Sequence, residues 1–559
     1  MKRKRAMRPW VAILLVTFCG CPGSNPPATS PRPASQNATD EQPLGTDDGA
    51  NAERDGANEA ANSPDALAAD TQTGHETTLP ADTSANEAAR EETTGEETAR
   101  DETPNEEPLP DETLFRGWPK PKFVLVCTGE QLGYIEPCGC SGLENQKGGL
   151  RRRHTLLKQL RARGWPVAAL DNGGLIKRSG PQSEIKFEKT AEAMVTMGYS
   201  AVGFGTADLK LQAGSVTAVL ANFDAEKNPF VSANVSVTVF EESPWRPFLV
   251  VEEGPMRLGV AAVLGDKFQK QITNEDIRLL PAQQGLSEAY QELKQARCEA
   301  MVLLAHATPE ESTDLAGQFP AFDVVVTAGG ADEPPHVPTV LNGGKTLLIE
   351  VGHKGMYAVV LGFYDDEETP VRYQRVPIDK RFTDSPEMDE VMDSYQEQLQ
   401  QMGWEGLDLR RKNHPAGKFA GSSACAECHQ SQFDIWAKTP HAHATKTLTT
   451  VKPPRQFDPE CISCHATGWN PQQFTPYTSG FDSLKKTPIL AGNGCENCHG
   501  PAAAHVAAEN EGGDESLRAK LRLSIAEAKT AIVDSCVECH DLDNSPHFDF
   551  DEYWPKIEH

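Results

Sequence analysis

The sequence predicts two folded parts of different class, an α/β layered domain and then a mainly α, loop-rich module, behind a long segment without a core. Three observations carry this. From Trp118 to about residue 380, short apolar runs alternate with helical stretches, the pattern of strands and helices stacked in layers. Between Cys425 and His540 the pentapeptide C-x-x-C-H occurs four times. Residues 22–115 are rich in Pro, Ser, Thr, Asn, Ala, Asp and Glu, with almost no aromatic or branched apolar residues.

The chain begins with Lys2, Arg3, Lys4, Arg5 and Arg8 and then an apolar run from Trp10 to Phe18. This is the charged and apolar layout of a secretory signal, too short to span a bilayer as a stable helix. The run ends in FCGC, and the Gly20-Cys21 step resembles a bacterial lipobox, in which Cys21 is lipidated and becomes the mature N-terminus. Phe18 and Cys19 depart from the usual lipobox residues, so plain secretion is the other reading. The following segment, 22–115, cannot bury enough surface to offset its ordering entropy and is expected to be a disordered acidic tether. A formal net charge of −28 over 559 residues argues against nucleic acid as a partner.

The runs FVLVC (Phe123–Cys127), PVAALD (Pro166–Asp171), SAVGFG (Ser200–Gly205), MVLLAH (Met301–His306) and DVVVTAG (Asp323–Gly329) read as buried strands. Helical stretches at 151–163, 184–197, 284–297 and 308–317 lie between them. Later strands near Thr346–Val351, Met356–Tyr364 and Val371–Val376 read as antiparallel. The domain is assigned to 118–380, followed by a helical connector at 381–414 that includes Ser385–Met402.

The phrases GGLRRRHTLLKQL, PVAALDNGG, AMVTMGYSAVGFGTADL, FVSANV, VLLAHATPEES and VVVTAGG, in this order over about 230 residues, resemble the metallophosphoesterase domain of the 5′-nucleotidase family. The resemblance implies a four-layer αββα fold and a site where Asp, His and Asn at strand ends bind two metal ions. The ligand positions are mostly lost. Glu130 and Leu132 stand in the first motif and Gly174 closes DNGG. Thr206 and Ala207 replace an Asn-His pair, and Ala331 and Glu333 replace a late His-x-His. His306 alone survives in place, and Asp171 is not at a ligand position. The expectation is a fold kept and a phosphoesterase lost, with a dinuclear metal centre not expected.

Near the first of these positions lie Cys127, Cys138 and Cys140. Export favours a disulfide, with Cys127 joined to Cys138 or Cys140 because the latter two are too close for an easy bridge. A thiolate metal or redox site that also draws on Glu136 and His306 is the sharper alternative. Cys298 reads as a buried free thiol, and Arg151–Arg153 as a solvated helix face or an anion contact.

The four pentapeptides are CAECH (Cys425–His429), CISCH (Cys461–His465), CENCH (Cys495–His499) and CVECH (Cys536–His540), with first cysteines 34 to 41 residues apart. C-x-x-C-H is the attachment signature of c-type haem. Two thiols three positions apart each add to one vinyl group, and the adjoining imidazole sits beneath the iron. Zinc sites and redox dithiols are the competing readings of one copy; four copies behind an export signal favour four haems. Cys425, Cys428, Cys461, Cys464, Cys495, Cys498, Cys536 and Cys539 are the attachment thiols, and His429, His465, His499 and His540 the proximal ligands. About forty residues per haem leave little room for an ordinary core, so the porphyrins are expected to supply much of the buried apolar surface.

C-x-x-C-H followed by Trp436 and TPHAHA, then CHATGW, GCENCHGPAAAH and SPHFDFDEYWPKIEH, resembles the multihaem cytochromes of the cytochrome c-554 type, over essentially all of 421–559. The module is assigned to 415–559. The resemblance implies distal ligands at His441, His505 and His559, with His547, His443 or His414 completing the set or one haem left five-coordinate. The whole is expected to be an exported electron-transfer protein, lipid-anchored and periplasmic or at the cell surface, exchanging electrons with redox partner proteins over a domain that serves as a platform. Its alternatives are an oxidoreductase acting on a small nitrogen or sulfur species at an open haem and, less favoured, a metal-dependent phosphoesterase.

Overall fold

The computed structural model describes residues 114–137, 146–237, 243–254, 256–523, 535–541, 544–545 and 547–559. The expected signal and Cys21, nearly all of the expected tether, and Cys138 and Cys140 lie outside these residues. Folded chain starts slightly before the expected boundary. Leu114 and Phe115 are buried, with the Phe115 ring edge-on to Trp118 at 5.2 Å and to Trp165 at 5.7 Å. A single aromatic pair inside a polar stretch is a weak compositional signal, and only its partners reveal it.

The first sheet holds β1 (Phe123–Thr128), β2 (Val167–Asp171) and β3 (Tyr199–Val202), parallel and consecutive, because helices α1 (Leu150–Ala162) and α2 (Pro181–Met197) cross over between them. The second is built on β4 (Phe248–Glu253), β5 (Met256–Leu264), β6 (Ala300–His306), β7 (Val324–Thr327), β8 (Thr339–Leu341) and β9 (Thr346–Glu350), in the order β8-β9-β7-β6-β5-β4. Helices α3 (Ala282–Gln295) and α4 (Pro309–Gln318) make its crossovers. The chain then returns to the first sheet as the antiparallel pair β10 (Tyr357–Phe363) and β11 (Val371–Pro377), giving β11-β10-β1-β2-β3.

Side-chain alternation turns these sheets into layers. On β1, Phe123, Leu125 and Cys127 face the core between the sheets, whereas Val124 and Val126 face the helices. On β5, Leu258, Val260 and Ala262 face inward, while Ala261 and Val263 pack on α3 and α4. The outer layer on the first sheet is α1, α2 and a later helix, α5 (Asp389–Gly406), through Leu156, Met194 and Leu399. The order is helices, sheet, sheet, helices: the four-layer αββα arrangement. The connector is thus built into this domain, since α5 carries the 3.6-residue apolar stripe Val391, Met392, Tyr395 and Leu399 onto α2.

Among the described residues the C-terminal module has short helices, α6 (Ser422–Ala426), α7 (Gln430–Trp436), α8 (Ala444–Thr450), α9 (Pro459–His465), α10 (Cys495–His499), α11 (Ala503–Asn510), α12 (Glu515–Leu521) and α13 (Phe550–Tyr553), and one short antiparallel strand pair, Trp469–Asn470 with Thr475–Pro476. Its own apolar core comprises Leu448, Ile462, Ala466, Trp469, Phe481 and Leu490. Among the described residues this cluster of six buried side chains is small for a module of this length, which is the packing expected where a large apolar group completes the interior.

Candidate functional site

Each C-x-x-C-H forms one helical turn. The His429 N–H donates to the Cys425 carbonyl at 2.8 Å, and the His540 N–H to the Cys536 carbonyl at 2.8 Å; the other two copies lie within α9 and α10. A turn puts positions i, i+3 and i+4 on one face, so both thiols and the imidazole point the same way.

The turns carrying Cys425 and Cys495 are neighbours, and Glu496 joins them. This carboxylate, buried inside the CENCH motif, accepts from the backbone N–H of Ala420 at 2.9 Å, Gly421 at 2.8 Å and Ala502 at 2.7 Å. The Ser422 hydroxyl accepts from the Cys495 N–H at 3.3 Å.

The imidazoles are prepared as ligands. His465 Nδ1 lies 2.8 Å from the Ala444 carbonyl, and His499 Nδ1 lies 2.8 Å from the Leu521 carbonyl. A carbonyl only accepts, so Nδ1 carries the proton and Nε2 keeps its lone pair for a metal. Burial pushes His441, His465, His499 and His540 below the ordinary histidine range, holding them neutral.

Two pairs of rings face each other. His499 and His559 have ring centres 5.9 Å apart, and His441 and His540 are 6.1 Å apart. Metal–imidazole bonds of about 2 Å on each side of an iron, plus the ring radii, put two axial rings about 6 Å apart. The residues fit haem. His559 Nδ1 lies 3.0 Å from the Ile557 carbonyl, which again leaves Nε2 free.

The other histidines are placed differently. His505 lies 3.5 Å from Glu509, and among the described residues no second histidine ring faces it. His443 and His547 are exposed. His414 packs edge-on against Tyr477 at 4.6 Å and accepts the Ala416 N–H on Nδ1 at 3.1 Å. Among the described residues no histidine ring stands opposite His429 or His465 as His559 does opposite His499.

At the strand ends of the central domain the charged residues pair with one another. Arg153 is fully buried, its Nη1 3.5 Å from Asp171 Oδ2, and it also hydrogen-bonds Gln131. The Thr128 hydroxyl donates to Asp171 at 2.6 Å. Asp208 accepts the N–H of Gly205 at 2.8 Å, Gly174 at 3.0 Å and Ile176 at 3.1 Å, closing the loops where ligands would be needed. Those loops touch: a Cβ on Gly205 would meet the Gly174 N at 2.4 Å, so the backbone bends away after Val202 and the strand ends earlier than SAVGFG suggests.

His306 uses Nδ1 on the Asn172 carbonyl at 3.2 Å, has Nε2 facing the Thr206 N–H at 3.4 Å, and lies 3.3 Å from Glu130. Glu333 is remote, paired with Lys147 and Arg375, both at 3.2 Å. Leu132, Ala207 and Ala331 bring no donor side chain. No group of three metal-binding side chains assembles among the described residues, and those present do not fit a dinuclear centre. Burial raises the Cys127 thiol well above its ordinary range, and Cys127 and Cys298 are free. Arg151 is not on a solvated face: it pairs with Glu136 at 3.4 Å and Asp389 at 2.9 Å.

The helix carrying CISCH rests on this domain. Asp458 caps α9 and also accepts Nε2–H from Gln182 of α2 at 3.0 Å and from Gln396 of α5 at 3.2 Å. Lys186 of α2 donates to Glu460 at 2.7 Å and to the Gly133 carbonyl at 2.9 Å. Arg455 pairs with Glu136. Trp404 donates to the Asp482 carbonyl at 2.9 Å, with its ring 5.1 Å from Trp469. None of Asp458, Glu496, Lys186 or Arg455 emerges from the motif pattern. Asp-Pro before CISCH is a helix-start signal that marks Asp458; the others have no local signature.

Residues 424–500 match the family model described as cytochrome c554 and c-prime. Over 96 residues the chain is 30% identical to cytochrome c-554 of Nitrosomonas europaea, covering 15% of this chain and 38% of that protein. Among solved structures it is similar to a 5′-nucleotidase precursor from Thermus thermophilus, with 19% identity, TM-score 0.43, and coverage of 50% of this chain and 59% of that one. A calcineurin-like phosphoesterase from Bacillus subtilis has 15% identity, TM-score 0.40, and coverage of 50% and 98%. The chain thus carries, over residues 424–500, a stretch similar to the cytochrome c554 and c-prime family, following a four-layer αββα domain.

Proposed function

We propose that the chain is an exported tetrahaem c-type cytochrome that passes electrons between redox proteins, with the central domain retained as a scaffold after loss of its phosphoesterase site. The observation that carries it is the facing of His499 and His559 at 5.9 Å, with Nδ1 of each directed to a carbonyl. Haem supplies one-electron chemistry when bound. The chain's part is to hold the thiols on one face and keep the imidazoles neutral and oriented; where His559 faces His499 and His441 faces His540, the second ring would also keep substrate from the iron. Cys21 as a lipid anchor, a periplasmic or surface location and a basic partner drawn to the acidic chain complete the reading.

The test is expression of the full chain in a host with c-type maturation. Four haems per chain by pyridine haemochrome and mass are expected, with no hydrolysis of phosphomonoesters in added manganese or zinc. Fewer than four haems, or metal-dependent hydrolysis, overturns it. A second reading, chemistry or gas binding at an open haem, rests on His429 and His465, opposite which no histidine ring stands among the described residues. A carbon monoxide difference spectrum on the reduced protein separates the two: a Soret change worth one haem or more favours an open site, and no change favours electron transfer alone.

A further inference from the structure

The attachment helix of the second motif stands apart from the others because its charged neighbours come from the other domain. Cys461 is flanked by Glu460, whose carboxylate takes the Lys186 ammonium at 2.7 Å. The Lys186 side chain is 9% exposed and Arg455 is 16% exposed on its pair with Glu136. Burial pulls the Lys186 ammonium down, but Glu460 and Asp458 together more than offset it, so it stays charged; Cys461 lies within Coulombic reach of both cations. Salt screens such buried charges weakly, so they act on a nearby redox centre far more than surface charges do.

We propose that Lys186, contributed by the metallophosphoesterase-like domain, is a residue that sets the reduction potential of the haem attached at Cys461 and Cys464. This rests on the tetrahaem reading. The step is a one-electron exchange: a redox partner protein loses an electron, the iron gains it, and no bond forms or breaks. A fixed cation favours the form that carries one more negative charge, so Lys186 raises the potential and Glu460 lowers it. The scaffold is then a tuning element at this helix.

The experiment is a spectroelectrochemical titration of the haem-loaded full chain, comparing the parent with Lys186→Gln, Lys186→Arg and Glu460→Gln. In Lys186→Gln one midpoint is expected to fall, changing the reduced-to-oxidised ratio of that haem at fixed poise about tenfold, or about 59 mV for one electron, while the others stay. Glu460→Gln, at a half-exposed position that tolerates the change, should move the same midpoint upward even where Lys186→Gln folds poorly. Lys186→Arg should leave it in place. An unchanged midpoint in a variant with full haem content, or an equal shift in Lys186→Arg, overturns the proposal. Haem content below four in the parent instead overturns the tetrahaem reading, so the two failures are told apart.

Discussion

The side chain of Asp458 accepts a hydrogen bond from Gln182 at 3.0 Å, which together with the Lys186–Glu460 pair ties the helix of the CISCH motif to the second helix of the central αββα domain. The same carboxylate caps its own helix by accepting the Glu460 N–H at 3.0 Å. Asp458→Ala therefore removes a cap, leaves the buried Gln396 amide short of an acceptor and leaves the half-buried Gln182 amide with the Tyr395 hydroxyl alone. An N-cap loss costs about 1 kcal/mol, and each unsatisfied buried amide about 1–3 kcal/mol. Thermal melting followed in the Soret band should drop by several degrees, while Asp458→Asn, which keeps an acceptor oxygen, should lose much less. Equal losses in both would locate the effect elsewhere.

In the central domain, Arg153 and Asp171 are both fully buried and face each other at 3.5 Å. Removing one partner strands the other charge away from water. Arg153→Met is expected to cost about 3–5 kcal/mol, read as a lower midpoint in urea denaturation followed by tryptophan fluorescence. The double variant Arg153→Met/Asp171→Asn should recover part of that loss. A single variant as stable as the parent would show that the pair does not hold the strand ends together.

Glu130 and Asp208 give the same domain a pH profile. Burial raises Glu130 to about 7, with His353 opposing and Asp171 adding to the shift, and raises Asp208 to about 6. A carboxyl raised on folding binds protons that the unfolded chain has already released. Stability therefore falls as pH climbs from the ordinary value of 4.5 through about 7 for Glu130, and is level above that. The buried His154 and His306, lowered by burial, contribute the opposite slope below pH 6.5, so chemical denaturation from pH 4.5 to 7.5 is read as the parent minus Glu130→Gln, a difference that should decline over this interval. A variant whose profile has the same slope as the parent would contradict the assignment.

The layers were legible in the sequence because both sheets are buried on two faces. Phe123–Thr128 and Ala300–His306 read as near-continuous apolar runs, which is how such strands must read. The hairpin Phe248–Leu264 escaped notice because its first strand is half-exposed and mixes Glu252 and Glu253 with apolar residues. Attachment thiols and proximal histidines have a local signature, since the chemistry demands fixed spacing. Distal ligands have none. His441 meets His540 across 99 residues of chain, and Lys186 meets Glu460 across 274. Such pairings depend on how the layers stack, and residue spacing along the chain carries no record of that.

The last residue of the sequence gives the sharpest test of the module. His559 faces His499 at 5.9 Å, and among the described residues its side chain hydrogen-bonds the nearby Ile557 carbonyl at 3.0 Å, so replacing it disturbs little besides the iron it is expected to bind. His559→Ala should convert one haem of the set from low to high spin in the oxidised state and open it to carbon monoxide, adding a Soret change worth one haem to whatever the parent shows. Attachment should be unaffected, because Cys495 and Cys498 remain, and haem content by pyridine haemochrome should match the parent. Exogenous imidazole should restore the low-spin spectrum by filling the vacated position. If the spectrum of His559→Ala is indistinguishable from the parent at equal haem content, His559 is not an axial ligand, and the pairing with His499 is packing alone.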